Sequence, residues 1–232
     1  MKKNIIYLIL ILFSTFLNAN EKIVLQLKWF HQFQFAGYYA AKEKGFYDEV
    51  GLNVEIRQRD LKYNNIDEVI NGNAQYGVAD SILILYRLKQ QPVVIVSPIF
   101  QHSPSVFISL KKSNISSVYE LNNKDILFYP NDTDGFSLLA MIKKFDLDVN
   151  LVRERYKDDY MRLINNEVDV MPAYIANEPF LFKEKGYDVN IINPTNYGFD
   201  MYGDMLFTNE DEAKNNPIRV EKFKEATLKG WK

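Results

Sequence analysis

Between residues 25 and 56 the chain reads LQLKWFHQFQFAGYYAAKEKGFYDEVGLNVEI, and this stretch restricts the fold more than any other. Residues 23–28 form an apolar, β-branched run suited to a buried strand. Residues 37–44 have the Ala-rich period of a helix that Gly45 stops, and residues 53–57 return to strand. Strand, helix and strand in this order make one unit of an open α/β sheet, in which the segment leaving a strand's carboxyl end faces the ligand crevice. That segment here is Trp29-Phe30-His31-Gln32-Phe33-Gln34-Phe35-Ala36. Trp29 is therefore expected at a mouth, where an indole offers a flat face for stacking, and Gln32 and Gln34 can exchange hydrogen bonds with a ring's edge. Any one of the phenylalanines serves equally well as ordinary core.

The same alternation continues. Residues 67–71 read as helix capped by Gly72, 74–79 as strand ending at Asp80-Ser81, and 82–89 as helix. The unbroken β-branched run 93–99 suits the middle of a sheet. A second batch follows: strands at 106–110, 126–129, 168–171 and 189–192, with helices at 136–145, 159–165 and 178–185. The segments 106–110 and 203–207 resemble the crossing strands of a hinge. Residues 69–80 align without gaps on residues 163–174, each a helix end, a residue able to take positive φ (Gly72, Asn166) and a buried strand. Asp80 and Tyr174 thereby fall at equivalent strand ends, so the expected class is α/β with two similar lobes.

Trp29, Gly37, Tyr39, Ala41, Gly45-Phe46-Tyr47, Gly51-Leu52 and Val54, with Asn177-Glu178-Pro179 and the run 197–206, resemble the periplasmic binding proteins for thiamine pyrimidine precursors and the wider sulfonate, nitrate and taurine binders. In place of the Pro-Asn-Thr-Asn-His usual between the Trp and the Gly, this chain has His31-Gln32-Phe33-Gln34-Phe35. The resemblance implies a type II periplasmic binding protein fold: a first lobe over 20–103, a second over 104–198, and a return over 199–232. It implies an aminopyrimidine-like ligand between the lobes, a membrane permease of an ABC transporter as partner, and a monomer. Ligand contacts are expected from Trp29, Gln34, Gly37, Tyr38, Asp80, Tyr174, Asn177, Glu178 and Tyr202.

Glu178 is the expected edge-recognising acid, since a carboxylate at a helix start is held ionised by the helix dipole. A first-turn capping role beside Pro179 is the competing reading. Asp132-Thr133-Asp134, ahead of the helix at 136, would repel an anion from its amino end and so favour an uncharged or cationic ligand.

The formal net charge of -2 gives no electrostatic case for nucleic acid. The sequence holds no cysteine, which excludes disulfides, thiolate metal sites and a Cys nucleophile. His31 and His102 have no metal-site spacing and no phosphate-binding Gly loop is present, so neither metal, cofactor nor enzyme activity is expected. The related yeast-type pyrimidine synthase relies on a Cys-rich motif that is missing here. Residues 1–19, with Lys2 and Lys3 ahead of an apolar run, read as a cleaved secretory signal, placing the mature chain in the periplasm. Residues 217–232 read as an amphipathic helix with Val220, Phe223, Thr227 and Trp231 on one side. Since family members continue for several more helices, the carboxyl end is expected to be truncated, or the chain to be the sensing piece of a larger receptor.

Overall fold

A computed structural model describes residues 20–128, 135–153 and 159–232. The signal-peptide reading of residues 1–19 and the Asp132-Thr133-Asp134 loop lie outside these. Ten strands form among the described residues: β1 (Glu21–Gln26), β2 (Leu52–Arg57), β3 (Tyr76–Ala79), β4 (Val93–Pro98), β5 (Ser105–Leu110), β6 (Asp125–Phe128), β7 (Asn150–Arg153), β8 (Met171–Tyr174), β9 (Val189–Ile192) and β10 (Met205–Asn209). The helices between them are α1 (Ala36–Glu43), α2 (Phe46–Glu49), α3 (Asn65–Ile70), α4 (Leu83–Leu88), α5 (Phe136–Lys144), α6 (Asp159–Ile164), α7 (Glu178–Glu184), α8 (Glu210–Asn215) and α9 (Pro217–Gly230).

The first sheet has the order β2-β1-β3-β10-β4, with β1 parallel to β2 and β3, and β10 antiparallel to both of its neighbours. In the second half, β5 lies antiparallel between β8 and β9, and β6 pairs in parallel with β7. A parallel bridge between Ile126 and Val170 joins the two pieces. The second sheet therefore runs β7-β6-β8-β5-β9 and repeats the first. In each half the antiparallel strand is the one the chain makes on first arriving from the other half.

The repeated phrase is visible in the backbone. Both α3–β3 and α6–β8 turn through one left-handed residue, Gly72 at φ 77° and Asn166 at φ 57°. Asn is among the few residues with a side chain that enter this region readily. The amphipathic reading of the last helix also holds: Phe223 and Thr227 of α9 are buried, and the Phe223 ring stacks on Tyr76 at 3.9 Å and on Tyr47 at 5.2 Å.

Three expectations need correction. The run 93–99 is not mid-sheet: β4 is an outer strand of its sheet among the described residues, with Ile95 exposed, because the returning β10 takes the place beside β3. The segments 106–110 and 203–207 do not cross between halves; β5 lies within the second sheet and β10 within the first. The crossing is made by residues 99–104 and 199–204. There Ile99 and Phe100 N–H donate to the Asp204 carbonyl (2.9 and 3.0 Å), and Gly203 N–H donates to the Phe100 carbonyl (2.8 Å). The strand β7 was not foreseen, since Asn150-Leu151-Val152-Arg153 is short and largely exposed.

At Gly203 the two crossing segments approach so closely that a Cβ would lie 2.8 Å from Pro104 Cδ and 3.0 Å from Phe100 Cβ. The proline ring cannot rotate away, so a methyl group must push the segments apart. Gly203→Ala is expected to lower stability in urea unfolding by about 1–3 kcal/mol, the usual cost of overpacking.

Candidate functional site

The segments just past β1 and β3 in the first half meet the second half at the end of β8 and the start of α5. The segments that follow β6 and β7, residues 129–134 and 154–158, lie outside the described residues. Lys28, two residues beyond β1, is 1% exposed, and so is Asp204 just ahead of β10. The Lys28 ammonium donates to the Tyr174 hydroxyl at 2.7 Å and pairs with Asp204 Oδ1 at 3.1 Å. The Tyr174 hydroxyl in turn donates to the same Asp204 oxygen at 2.7 Å. Charges removed from water persist only when paired and hydrogen-bonded, and here the second half supplies one of the partners. Burial, and behind it the negative charge of Asp204, pushes the nearby Tyr38 phenol well above its ordinary range.

A second bond runs the opposite way. Asp80, directly after β3, keeps one carboxylate oxygen on the Ile82 N–H (2.8 Å) and presents the other to the Gly135 N–H (2.9 Å) at the start of α5. A carboxylate in this position satisfies free helix donors and meets the positive end of the helix dipole. Phe136 follows it, packing on the first-half cluster that includes Ala79, Ile82 and Phe207. The residue that follows β3 thus reaches into the second half, and the residue ending β8 reaches into the first. These are the two positions that the internal repeat makes equivalent.

Trp29 is half-buried against the core of the first half. The Arg59 guanidinium lies 5.6 Å from its ring centre, the Arg59 N–H donates to its carbonyl (3.1 Å), and Phe30 meets it edge-on at 5.7 Å. The indole is therefore half-buried, packed on the first-half core and held by Arg59 and Phe30.

The other predicted residues divide. Gln34, Gly37, Tyr174 and Asn177 come together in a cleft of about 760 Å³ beside the crossing segments, closed on one side by Trp231. Gly37 is there for packing, since the Trp231 ring lies where its Cβ would be, 2.1 Å away. Trp29, Tyr38, Asp80, Glu178 and Tyr202 do not line this cleft. Tyr38 is wholly buried in the first-half core, edge-on to Trp231 at 5.6 Å. Tyr202 is 51% exposed, and its carbonyl accepts from the Ser81 hydroxyl at 2.8 Å.

The expectation for Glu178 changes. Its Oε2 accepts the Tyr174 N–H (2.7 Å) and its Oε1 accepts the Asn177 amide (2.9 Å), so the carboxylate ties the β8–α7 turn to itself. Burial raises its carboxyl above the usual value, against the lowering by those hydrogen bonds, rather than leaving it the firmly ionised group that a helix start suggests. Pro179 marks the helix start, and the carboxylate braces the turn before it rather than capping a helix N–H. Lys28 and Arg59 were missed. A lone ammonium closing an apolar strand run was the available signal for Lys28, but its acidic partner lies far along the chain.

Replacing Lys28 by Met strands the Asp204 carboxylate in a dry border. Lys28→Met is expected to cost about 3–5 kcal/mol in chemical unfolding. Adding Asp204→Leu should recover most of that loss, because the unpaired charge goes with it.

The chain matches the family described as NMT1/THI5 like over residues 32–232. It is 26% identical to the riboflavin-binding protein RibY of Chloroflexus aurantiacus, covering 90% of this chain and 61% of that protein. With the formylaminopyrimidine-binding protein of Halalkalibacterium halodurans it shares 24% identity, covering 92% of this chain and 66% of the relative. The chain thus spans about three fifths to two thirds of the length of these curated relatives. Among solved structures, the periplasmic aliphatic sulphonate binding protein SsuA of Escherichia coli superposes with a TM-score of 0.69 at 12% identity, over 90% of this chain and 72% of that one. With two repeated α/β halves, paired crossing segments and this match over most of its length, the chain belongs to the NMT1/THI5-like family and has the type II periplasmic binding protein fold.

Proposed function

We propose that this chain captures a planar nitrogen heterocycle of the aminopyrimidine kind in the crevice between its halves. It would serve as the solute-binding component of an ABC uptake system, in the periplasm once its leader is removed, and is not an enzyme. Relatives named for a formylaminopyrimidine and for riboflavin, both planar nitrogen heterocycles, support the broader solute class, and the former its aminopyrimidine member. Trp29 supplies the stacking face at the first-half rim, with Arg59 fixing the indole. Asp80 and Tyr174 draw the two walls together, and the closed form docks on a membrane permease.

The carboxylate of Asp80 at the start of α5 carries this reading. A helix amino end is the place where a fold of this kind could hold a sulfonate or nitrate, and here a protein carboxylate already occupies it. A second anion beside it would be repelled. An uncharged or cationic ring pays no such penalty.

Calorimetry with 4-amino-5-hydroxymethyl-2-methylpyrimidine, riboflavin and taurine tests the assignment. At least one heterocycle is expected to bind and taurine to show no heat. Trp29→Ala should weaken heterocycle binding about tenfold or more without lowering the melting temperature, in line with the worth of one aromatic stacking partner. Tighter binding of taurine than of either heterocycle, or unchanged affinity in the variant, would overturn the reading.

A further inference from the structure

The cleft beside the crossing segments lies apart from the Trp29 face. It measures about 760 Å³, and neither Trp29 nor Asp80 belongs to its wall. Its size lies in the range of small-molecule sites. Phe33 and Gln34 enter it from the first half, Ala176 and Asn177 from the second, and Phe100 from a crossing segment. Tyr174 stands between it and the buried ion pair: the residue belongs to the wall, while its hydroxyl is bonded to Lys28 and Asp204.

The apolar part of the wall is aromatic. Phe33 is 91% exposed, and Phe100 meets the Trp231 indole edge-on at 5.8 Å. The polar part is made largely of carboxamides. Asn177 is an exposed residue whose Nδ2 donates to Glu178 Oε1 at 2.9 Å, which fixes the amide and leaves its Oδ1 as an acceptor. Gln34, half-buried on the first-half side, makes no side-chain hydrogen bond among the described residues, so its donor and its acceptor are both unspent.

Such a wall selects its occupant by chemistry. A carboxylate would set its oxygens against Asn177 Oδ1, acceptor against acceptor. An ammonium would find no Asp or Glu side chain in the wall to offset its lost hydration, and Lys232 would repel it. The one imidazole, His102, is already held through Nδ1 by Asp200 at 2.8 Å. An uncharged N–H group suits Asn177 Oδ1, and a carbonyl beside it can accept from the Gln34 amide. The geometry points to a second small-molecule site, for an uncharged aromatic amide whose ring lies against Phe33 and Phe100. Its polar partners come from both halves, so an occupant bridges them beside the hinge. This site and the Trp29 crevice stand or fall separately.

The sequence holds two tryptophans, one at each place. Their indole N–H signals in a proton–nitrogen correlation spectrum, assigned with Trp29→Phe, therefore report on the two sites separately. Titration with benzamide is expected to shift the Trp231 signal to saturation and to leave that of Trp29 in place. Benzoate, the same shape without the donor, and N,N-dimethylbenzamide are expected to bind roughly tenfold more weakly, the worth of one or two well-made hydrogen bonds. Asn177→Ala, which removes the acceptor, should erase most of the preference for benzamide over benzoate. Ala176→Phe, which fills the cleft from an exposed position, should abolish the Trp231 response. A Trp231 signal that benzamide does not move overturns the site, as does benzoate binding as tightly as benzamide. So does a preference that survives Asn177→Ala, or a Trp231 response that survives Ala176→Phe. Movement of the Trp29 signal alone places the amide in the crevice, which overturns this second site and leaves the ring reading standing.

Discussion

The border between the two halves is organised around a lysine that water does not reach. Lys28 leaves the end of β1 into a space where an ammonium without partners would be prohibitively costly, and two groups make the position tenable: Asp204 from the returning chain and Tyr174 from the second half. Asp204 is in place because the crossing segments pair with each other through its own carbonyl and that of Phe100. Gly203 is the residue that lets them pass. The connection between the halves and the neutralisation of Lys28 are thus one piece of construction.

The repeat of sheet order has a mechanical consequence. Because the halves share one topology, the residue after β3 and the last residue of β8 occupy matching places, and each bonds across the border: Asp80 to the start of α5, Tyr174 to Lys28 and Asp204. Two bonds made in opposite directions resist sliding as well as opening. The amino end of α5 is thereby bound to the carboxylate that follows β3.

Much of the fold was legible because it is written in local patterns. The period of residues 37–44, the stop at Gly45, the matched left-handed residues Gly72 and Asn166, and the apolar side of residues 217–230 each report on a few neighbours in sequence, and each stands in the structure. Where a reading needed the place of a strand within a sheet it failed. The β-branched run at 93–98 is an outer strand because β10, a hundred residues later, inserts beside β3. Among the residues singled out, the equivalent places of Asp80 and Tyr174 could be read ahead from the repeat, whereas Glu178 turned inward to its own turn and Tyr38 into the core.

The sequence by itself determined the two-fold alternation of helix and strand, the turns that bound it, and the family resemblance, all of which depend on residue spacing over a few turns of chain. Only the tertiary structure decided which polar groups meet. Lys28 and Tyr174 stand 146 residues apart, and no local rule pairs an ammonium with a phenol at that separation. The pairing exists because folding removes both from water, and a buried charge accepts whichever partner the packed chain brings within reach.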